Sequence, residues 1–249
     1  NAVETLRIAG LVDSTGHWQG GDAILVQTGD TTDRGPDSKA VLDLLRRLEE
    51  EATSHGGEVH ALLGNHEVMN LGGDLRYVHP GDYEAFGGPE ARAQALALDG
   101  EYGSWLASLD TAYQVEDTVF VHGGIAPAWA EGGLESLNET VRAALRGGPQ
   151  EVLGPDGPVW YRDFVQDPEP FAGIRLDEGR DALGASRMVV GHTTRRDGRI
   201  DVRCDGRLHV IDVGISAHYG GNLAAWELTN IGARALYPRG PVSLESPPP

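Results

Sequence analysis

The chain is 249 residues long and carries 38 acidic against 20 basic residues, a net charge of −18. That balance excludes a surface that grips nucleic-acid backbones by charge. No apolar run approaches the ~20 residues of a membrane-spanning helix. Cys204 is the single cysteine, which excludes an intrachain disulfide framework and a zinc–thiolate cluster.

In chain order, "AVETLRIAGLVD" reads as a short helix with Val3, Leu6, Ile8 and Leu11 on one side and Gly10 near its end. "AILVQTG" is a continuous apolar run, as expected of a strand buried on both faces. Asp37 or Ser38 then caps a helix whose Val41, Leu44, Leu45 and Leu48 recur at helical spacing, and "HGG" at 55–57 stops it. "EVHALLG" is a second strand. Strand, helix, strand makes a right-handed βαβ unit, so the two strands are expected to be parallel and their end loops to face each other.

Residues 72–117 break this pattern and read as an insertion with a helical stretch near 90–109. "TVFVHGG" is a third strand, followed by a helix near 134–146, a loop "GPDGPVWYRDF" and a helix near 178–185. "RMVVGHT" is a fourth buried strand. "RIDVRCDGRLHVIDVG" and "NLAAWELTNIGARALYP" alternate apolar and polar residues around Gly-containing turns, so the C-terminal half is expected to be antiparallel. The "SPPP" end reads as unstructured.

Four of the strand ends deliver Asp30, Asn65, His122 and His192, each beside a glycine. A carboxylate, an amide oxygen and two imidazoles form a ligand set suited to Mn, Fe or Zn. Glycine permits a sharp turn and close approach of a ligand to the backbone. A core histidine needs neither. His17, His55, His60, His79 and His209 read as surface or packing residues, and His218 as a neighbour of the site through Tyr219. Trp160 is a candidate pocket wall. Arg76 and Tyr77 read as lid or packing residues of the insertion. Cys204 lacks the Cys-x5-Arg loop of a cysteine phosphatase.

The motifs "GDTTDRG" (29–35), "GNHE" (64–67), "HGG" (122–124) and "GH" (191–192) resemble, in order and spacing, the phosphoprotein phosphatase family of metallophosphoesterases. "LLGNHEVMN", "LRYV", "WYRDF" and "YGG" give the chain the look of the bacterial Shewanella-like branch. The resemblance implies a calcineurin-like α/β fold: a β-sandwich flanked by helices (α-β-β-α), its N-terminal half a parallel βαβ unit. It implies one domain over 1–240, with the insertion at 72–117 as a lid and a disordered tail at 241–249.

Carried over position by position, the resemblance makes Asp30 the carboxylate that bridges two metal ions. Asn65, His122 and His192 become the remaining ligands of the second metal. His66 becomes the proton donor to the leaving oxygen, with Asp33 as its partner. Arg34 and Arg162 become phosphate-binding arginines, and Tyr219 a tyrosine near the substrate phosphate. The implied reaction is hydrolysis of a phosphomonoester on a phosphorylated protein or peptide, phosphotyrosine or phosphoserine/threonine, by attack of a metal-bound hydroxide. The alternatives are a dinucleoside polyphosphate or other small-molecule phosphohydrolase and a truncated form that is weakly active or only binds phosphate. The family's earlier motif, Gly-Asp-x-His-Gly, is not among these residues, and His17 is no substitute for it. The expectation is therefore two divalent ions (Mn, Fe or Zn) in a full-length protein and one, weakly held, in this chain. The chain opens at Asn1 rather than methionine, which leaves the compartment open between cytoplasm and periplasm.

Overall fold

The computed structural model describes residues 1–245. The first unit is α1 (Ala2–Ile8), β1 (Ile24–Gln27), α2 (Ser38–Ser54) and β2 (Glu58–Ala61). β1 and β2 pair in parallel, Leu25 beside Val59, as the βαβ reading requires. α1 stops at Ile8, short of Asp13 where the stretch read as a helix ends, because Gly10 takes a φ of 73° that no helix continues through. α2 places Leu44, Leu48 and Ala52 against Val59 and Trp18, while Leu42 turns toward the insertion.

β1 corrects one expectation. It is not buried on both faces: Ile24 is 43% exposed and the other three residues are half-buried. Among the described residues β2 is its one partner, so only a single edge and part of a face are covered.

α3 (Asn65–Leu71) follows β2, and the insertion then folds as α4 (Pro80–Ala85), α5 (Pro89–Leu96) and α6 (Glu101–Leu106), packed on α2 through Leu96, Tyr102 and Leu106. Its expected end at 117 is too late. Residues Ala112–Val115 form β3, which pairs antiparallel with β4 (Thr118–Val121) at the edge of the main sheet.

The helical layer that follows is α7 (Pro127–Ala130), α8 (Gly133–Leu145), α9 (Asp163–Gln166) and α10 (Glu169–Ala182). α10 starts nine residues before the expected 178. Pro170 sits in its first turn, where a missing N–H costs nothing. Gly173 and Gly179 are buried packing positions: a Cβ on Gly179 would press on the Ile125 carbonyl.

β5 (Arg187–Val190), β6 (Asp201–Arg203) and β7 (Leu208–Val210) complete a five-stranded sheet of order β3-β4-β5-β7-β6. Here β4, β5 and β7 run parallel, so the C-terminal half is mixed and not purely antiparallel. β8 (Ala225–Thr229), β9 (Gly232–Tyr237) and β10 (Gly240–Ser243) form an antiparallel sheet. β10 occupies 241–243 of the tail expected to be disordered, and 246–249 lie outside the described residues.

Period-two alternation sets the layers. Val119, Val121, Met188, Val190, Leu208 and Val210 face α7–α10. Phe120 and Val189 face the other way, toward Val26, Leu62 and Trp226 on the smaller sheets. The result is helices, sheet, sheet, helices, the α-β-β-α sandwich. None of the helices among the described residues is long and apolar enough to cross a membrane.

Candidate active site

The carboxyl ends of β1, β2 and β5 open on one cavity of about 120 Å³, while His122, at the end of β4, is buried and does not line it. The turns after β1 and β2 are locked together by Glu67, which is fully buried. Its carboxylate accepts from the backbone N–H groups of Asp30 (2.7 Å), Thr31 (2.8 Å), Thr32 (3.0 Å) and Gly64 (2.9 Å), and from the hydroxyls of Thr31 and Thr32. Gly64 is required by contact: a Cβ there would overlap Asp30 Oδ1. Glu67 belongs to the "GNHE" motif, yet its role was not legible, because its partners lie some 35 residues away.

Asp30, Asn65, His122 and His192 converge as expected. His122 Nε2 lies 3.0 Å from Asn65 Oδ1, 3.0 Å from His192 Nδ1 and 3.3 Å from Asp30 Oδ2. The Nδ1–H of His122 donates to the Thr28 carbonyl at 2.7 Å, which leaves Nε2 as the atom that faces the cluster. Burial works against charge on this ring, but Asp30 outweighs it and the net direction of its pKa is upward. Four nitrogen and oxygen atoms thus gather at one place, where a divalent cation would displace the proton that His122 shares with Asp30. The carboxylate and the two histidine donors lie within 4.8 Å of one another, the one such His/Asp set among the described residues. Burial, then the neighbouring His122 and Arg162, push His192 down to about 2, so its imidazole is neutral. Burial works against the charge of Asp30, but His122 and His66 overturn it and hold the carboxyl well below its usual range. The donor set fits a borderline divalent metal.

His66 stands beside this cluster at the start of α3. Its Nδ1–H donates to Asp33 Oδ2 at 2.7 Å, and its Nε2 faces the cavity 4.0 Å from Asp30 Oδ2. Burial lowers the His66 pKa, yet Asp33 and Asp30 outweigh it and the net direction is upward.

Two guanidiniums line the opposite wall. Arg34 stacks on the Tyr77 ring at 3.9 Å from its centroid, and its Nε is buried without a hydrogen-bond partner. Arg162 donates to the His192 carbonyl at 3.2 Å and to Thr193 Oγ1 at 3.3 Å. Burial draws the Arg162 pKa down. Tyr219 stands at the rim, its ring 6.0 Å from Arg34. Trp160 forms the expected wall, edge-on to His192.

Of the two insertion residues, Tyr77 enters the site and Arg76 pairs outside with Asp74. His218 is exposed and does not line the cavity. Thr194 and Asp212 do line it and were not anticipated; Thr194 Oγ1 donates to Asp212 Oδ2 at 2.7 Å. A larger groove of about 360 Å³ lies between β3 and α8, beside Asp110, Glu135 and Arg142. It holds none of the four converging residues.

A sandwich whose strand ends gather His, Asn and Asp beside two arginines defines a metal-assisted hydrolase of phosphate esters. The chain belongs to the calcineurin-like phosphoesterase family, which residues 7–196 match. It is similar to Shewanella-like protein phosphatase 2 of Arabidopsis thaliana, 33% identical over 264 residues, covering 86% of this chain and 67% of that one. Among solved structures it resembles the cold-active protein-tyrosine phosphatase of a psychrophilic Shewanella, with a TM-score of 0.85 and 29% identity over 98% of this chain and 76% of that one. A further relative, a symmetrical bis(5'-nucleosyl)-tetraphosphatase of Janthinobacterium, is 29% identical over 190 residues, 73% of this chain and 60% of that one. The chain is an enzyme of the phosphatase class.

Proposed function

We propose that this chain hydrolyses phosphomonoesters on phosphorylated proteins or peptides. The observation that carries the reading is the meeting of Asp30, Asn65, His122 and His192 at one point, with a carboxylate-paired histidine and two guanidiniums beside the adjoining cavity. Space of about 120 Å³ holds roughly four waters, so the rest of an ester remains outside.

Asp30, Asn65, His122 and His192 are the residues that would hold a divalent metal. When bound, such an ion supplies charge that neutralises the phosphoryl oxygens and lowers the pKa of the attacking water. Arg34 and Arg162 present forked donors to the equatorial oxygens, a geometry that lysine does not match. The Tyr77 ring holds the Arg34 fork flat, and the Thr193 hydroxyl orients Arg162. His66 keeps its proton through the pairing with Asp33 and gives it from Nε2 to the departing oxygen. Tyr219 and Trp160 wall the opening and exclude bulk water from one side.

The phosphoprotein reading draws on the likeness to the two phosphatases above. The second reading, hydrolysis of a dinucleoside polyphosphate, draws on the tetraphosphatase relative. An acidic chain of net charge −18 mildly disfavours so anionic a substrate. Turnover of p-nitrophenyl phosphate with added manganese tests the chemistry, and absence of turnover with any divalent metal leaves a phosphate-binding protein. Phosphotyrosine peptide, phosphoserine peptide and diadenosine tetraphosphate assayed side by side then choose the substrate. A preference for the dinucleotide would overturn the phosphoprotein reading.

A further inference from the structure

Behind His66 lies a charge that no phosphate reaches. Arg92, on α5 of the insertion, is fully buried. Its Nε donates to Asp82 Oδ2 at 2.7 Å and its Nη1 to Asn70 Oδ1 at 2.8 Å. Its Nη2 lies 3.6 Å from Asp33 Oδ1, the oxygen that does not face His66. Asn70 in turn donates to the His66 carbonyl at 2.8 Å. The ring is closed by Ser38, whose N–H donates to Asp82 Oδ1 at 3.1 Å and whose Oγ accepts from the Asp33 N–H at 3.2 Å. One guanidinium therefore reaches His66 twice, at the imidazole through Asp33 and at the backbone through Asn70.

A structural arginine that merely compensates Asp82 would need one carboxylate. Arg92 sits between two, and the Asp33 side chain is as inaccessible as its own. Neither Asp33 Oδ1 nor Arg92 Nη2 has a hydrogen-bond partner, and the two atoms face each other at 3.6 Å. Both side chains are fully buried, so such a charge acts strongly at this range. It holds the plane of the Asp33 carboxylate with one oxygen toward Arg92 and the other toward His66 Nδ1.

We propose that Arg92 is a positioning residue for ester cleavage, holding Asp33 and Asn70 so that His66 Nε2 points at the leaving oxygen. This rests on the reading of His66 as proton donor. It also gives the insertion a task, since the helix that carries Arg92 becomes the back support of the acid.

Leaving groups separate positioning from packing. Dinitrophenolate departs without a proton, whereas the serine alkoxide of a phosphopeptide requires one. In the metal-loaded enzyme, Arg92→Met is expected to lower kcat on a phosphoserine peptide by about tenfold or more while leaving KM and the rate on dinitrophenyl phosphate within about threefold, a fraction of the 10²–10⁴ of a full general acid. His66→Asn, run beside it, is expected to show the same selectivity more strongly. Equal losses on both esters, or no loss, with Arg92→Met overturn the Arg92 proposal alone. Absence of selectivity in His66→Asn overturns it together with the acid assignment.

If Arg92→Met does not fold, Arg92→Lys decides. Lysine keeps the charge but cannot reach Asp82, Asn70 and Asp33 at once, so a smaller selective loss is expected, and wild-type behaviour would refute the proposal. A readout free of turnover is the downfield Nδ1 proton of His66 in NMR spectra. It should move or broaden in the folded Arg92 variant, and an unchanged resonance would also refute the proposal.

Discussion

Asp30, Asp33, Arg34 and His192 all take φ between 57° and 69°, the left-handed region that side chains other than glycine seldom occupy. Each such residue stores about 1–2 kcal/mol relative to helical backbone. Strain of this kind persists where surrounding contacts over-determine it, and Glu67 is the contact that does so for the turn that opens at Asp30. Four N–H groups and two hydroxyls end on its carboxylate, from both turns at once. Glu67→Gln swaps a charged acceptor for an amide that carries donors of its own against those N–H groups. A loss of about 3 kcal/mol is expected from leaving such buried groups poorly paired. Urea unfolding measures it, and a change below about 0.5 kcal/mol, the size of an ordinary surface substitution, would refute the argument.

His66 allows a second test at the same scale. Its folded pKa lies above 6.5 because Asp33 and Asp30 outweigh burial. The protonated form is the donor, so rate on poor leaving groups is retained at low pH and falls as pH rises through that raised value. Asp33→Asn removes the largest raising contribution, which should shift the alkaline limb of kcat to lower pH and reduce kcat about 10²-fold, as loss of a general acid does. A pH–rate profile with an unmoved limb would show that Asp33 does not act through His66.

At the level of elements, the strands read best where both faces are buried. β4 and β5 are apolar runs ending in a histidine, and sequence and structure agree on them. β1 looked the same but lies half-exposed in a two-stranded pair, because apolar composition does not say how many neighbours a strand has. α10 is longer than the helix read near 178–185, because its N-terminal turns carry Pro170 and Gly173 and their close packing is a long-range fact. The four converging residues stand at glycine-flanked strand ends, a pattern visible in the chain. Glu67 and Arg92 were not legible, since each is defined by partners distant in the chain.

The interface of β7 with β8 carries a pH dependence of its own. His209 is buried, its Nε2–H donating to the Gly206 carbonyl at 3.0 Å and its Nδ1 accepting from Trp226 Nε1–H at 3.0 Å. Burial lowers its pKa below 6.5. The unfolded chain thus binds a proton that the folded one refuses, and stability rises with pH through this window. The contribution of neutral His209 is complete above 6.5 and is lost as pH falls below it toward the depressed folded value. His209→Gln should flatten the stability curve between about pH 7 and pH 5. Chemical denaturation at a series of pH values checks it, and an unchanged slope would remove His209 as the cause.

For the molecule as a whole, the four converging residues come from the ends of separate strands, Asp30 after β1, Asn65 after β2, His122 after β4 and His192 after β5. Both halves of the sandwich therefore meet at one point, and the unfolded chain, with 162 positions between Asp30 and His192, has no such cluster. A cation that binds only the folded form stabilises it by about 2.7 kcal/mol at a concentration 100 times its Kd. For a chain of this length that corresponds to a rise in Tm of about 5–10 °C, at roughly 2–4 °C per kcal/mol. Manganese or zinc titrated into metal-stripped protein should produce that rise, with one ion per chain by elemental analysis of residues 1–249. His122→Ala removes the residue that touches the other three and should abolish both the rise and the bound ion. A Tm indifferent to metal in the wild type, or equally responsive in His122→Ala, would mean that the strand ends are joined by packing alone and that the proposed metal centre is elsewhere.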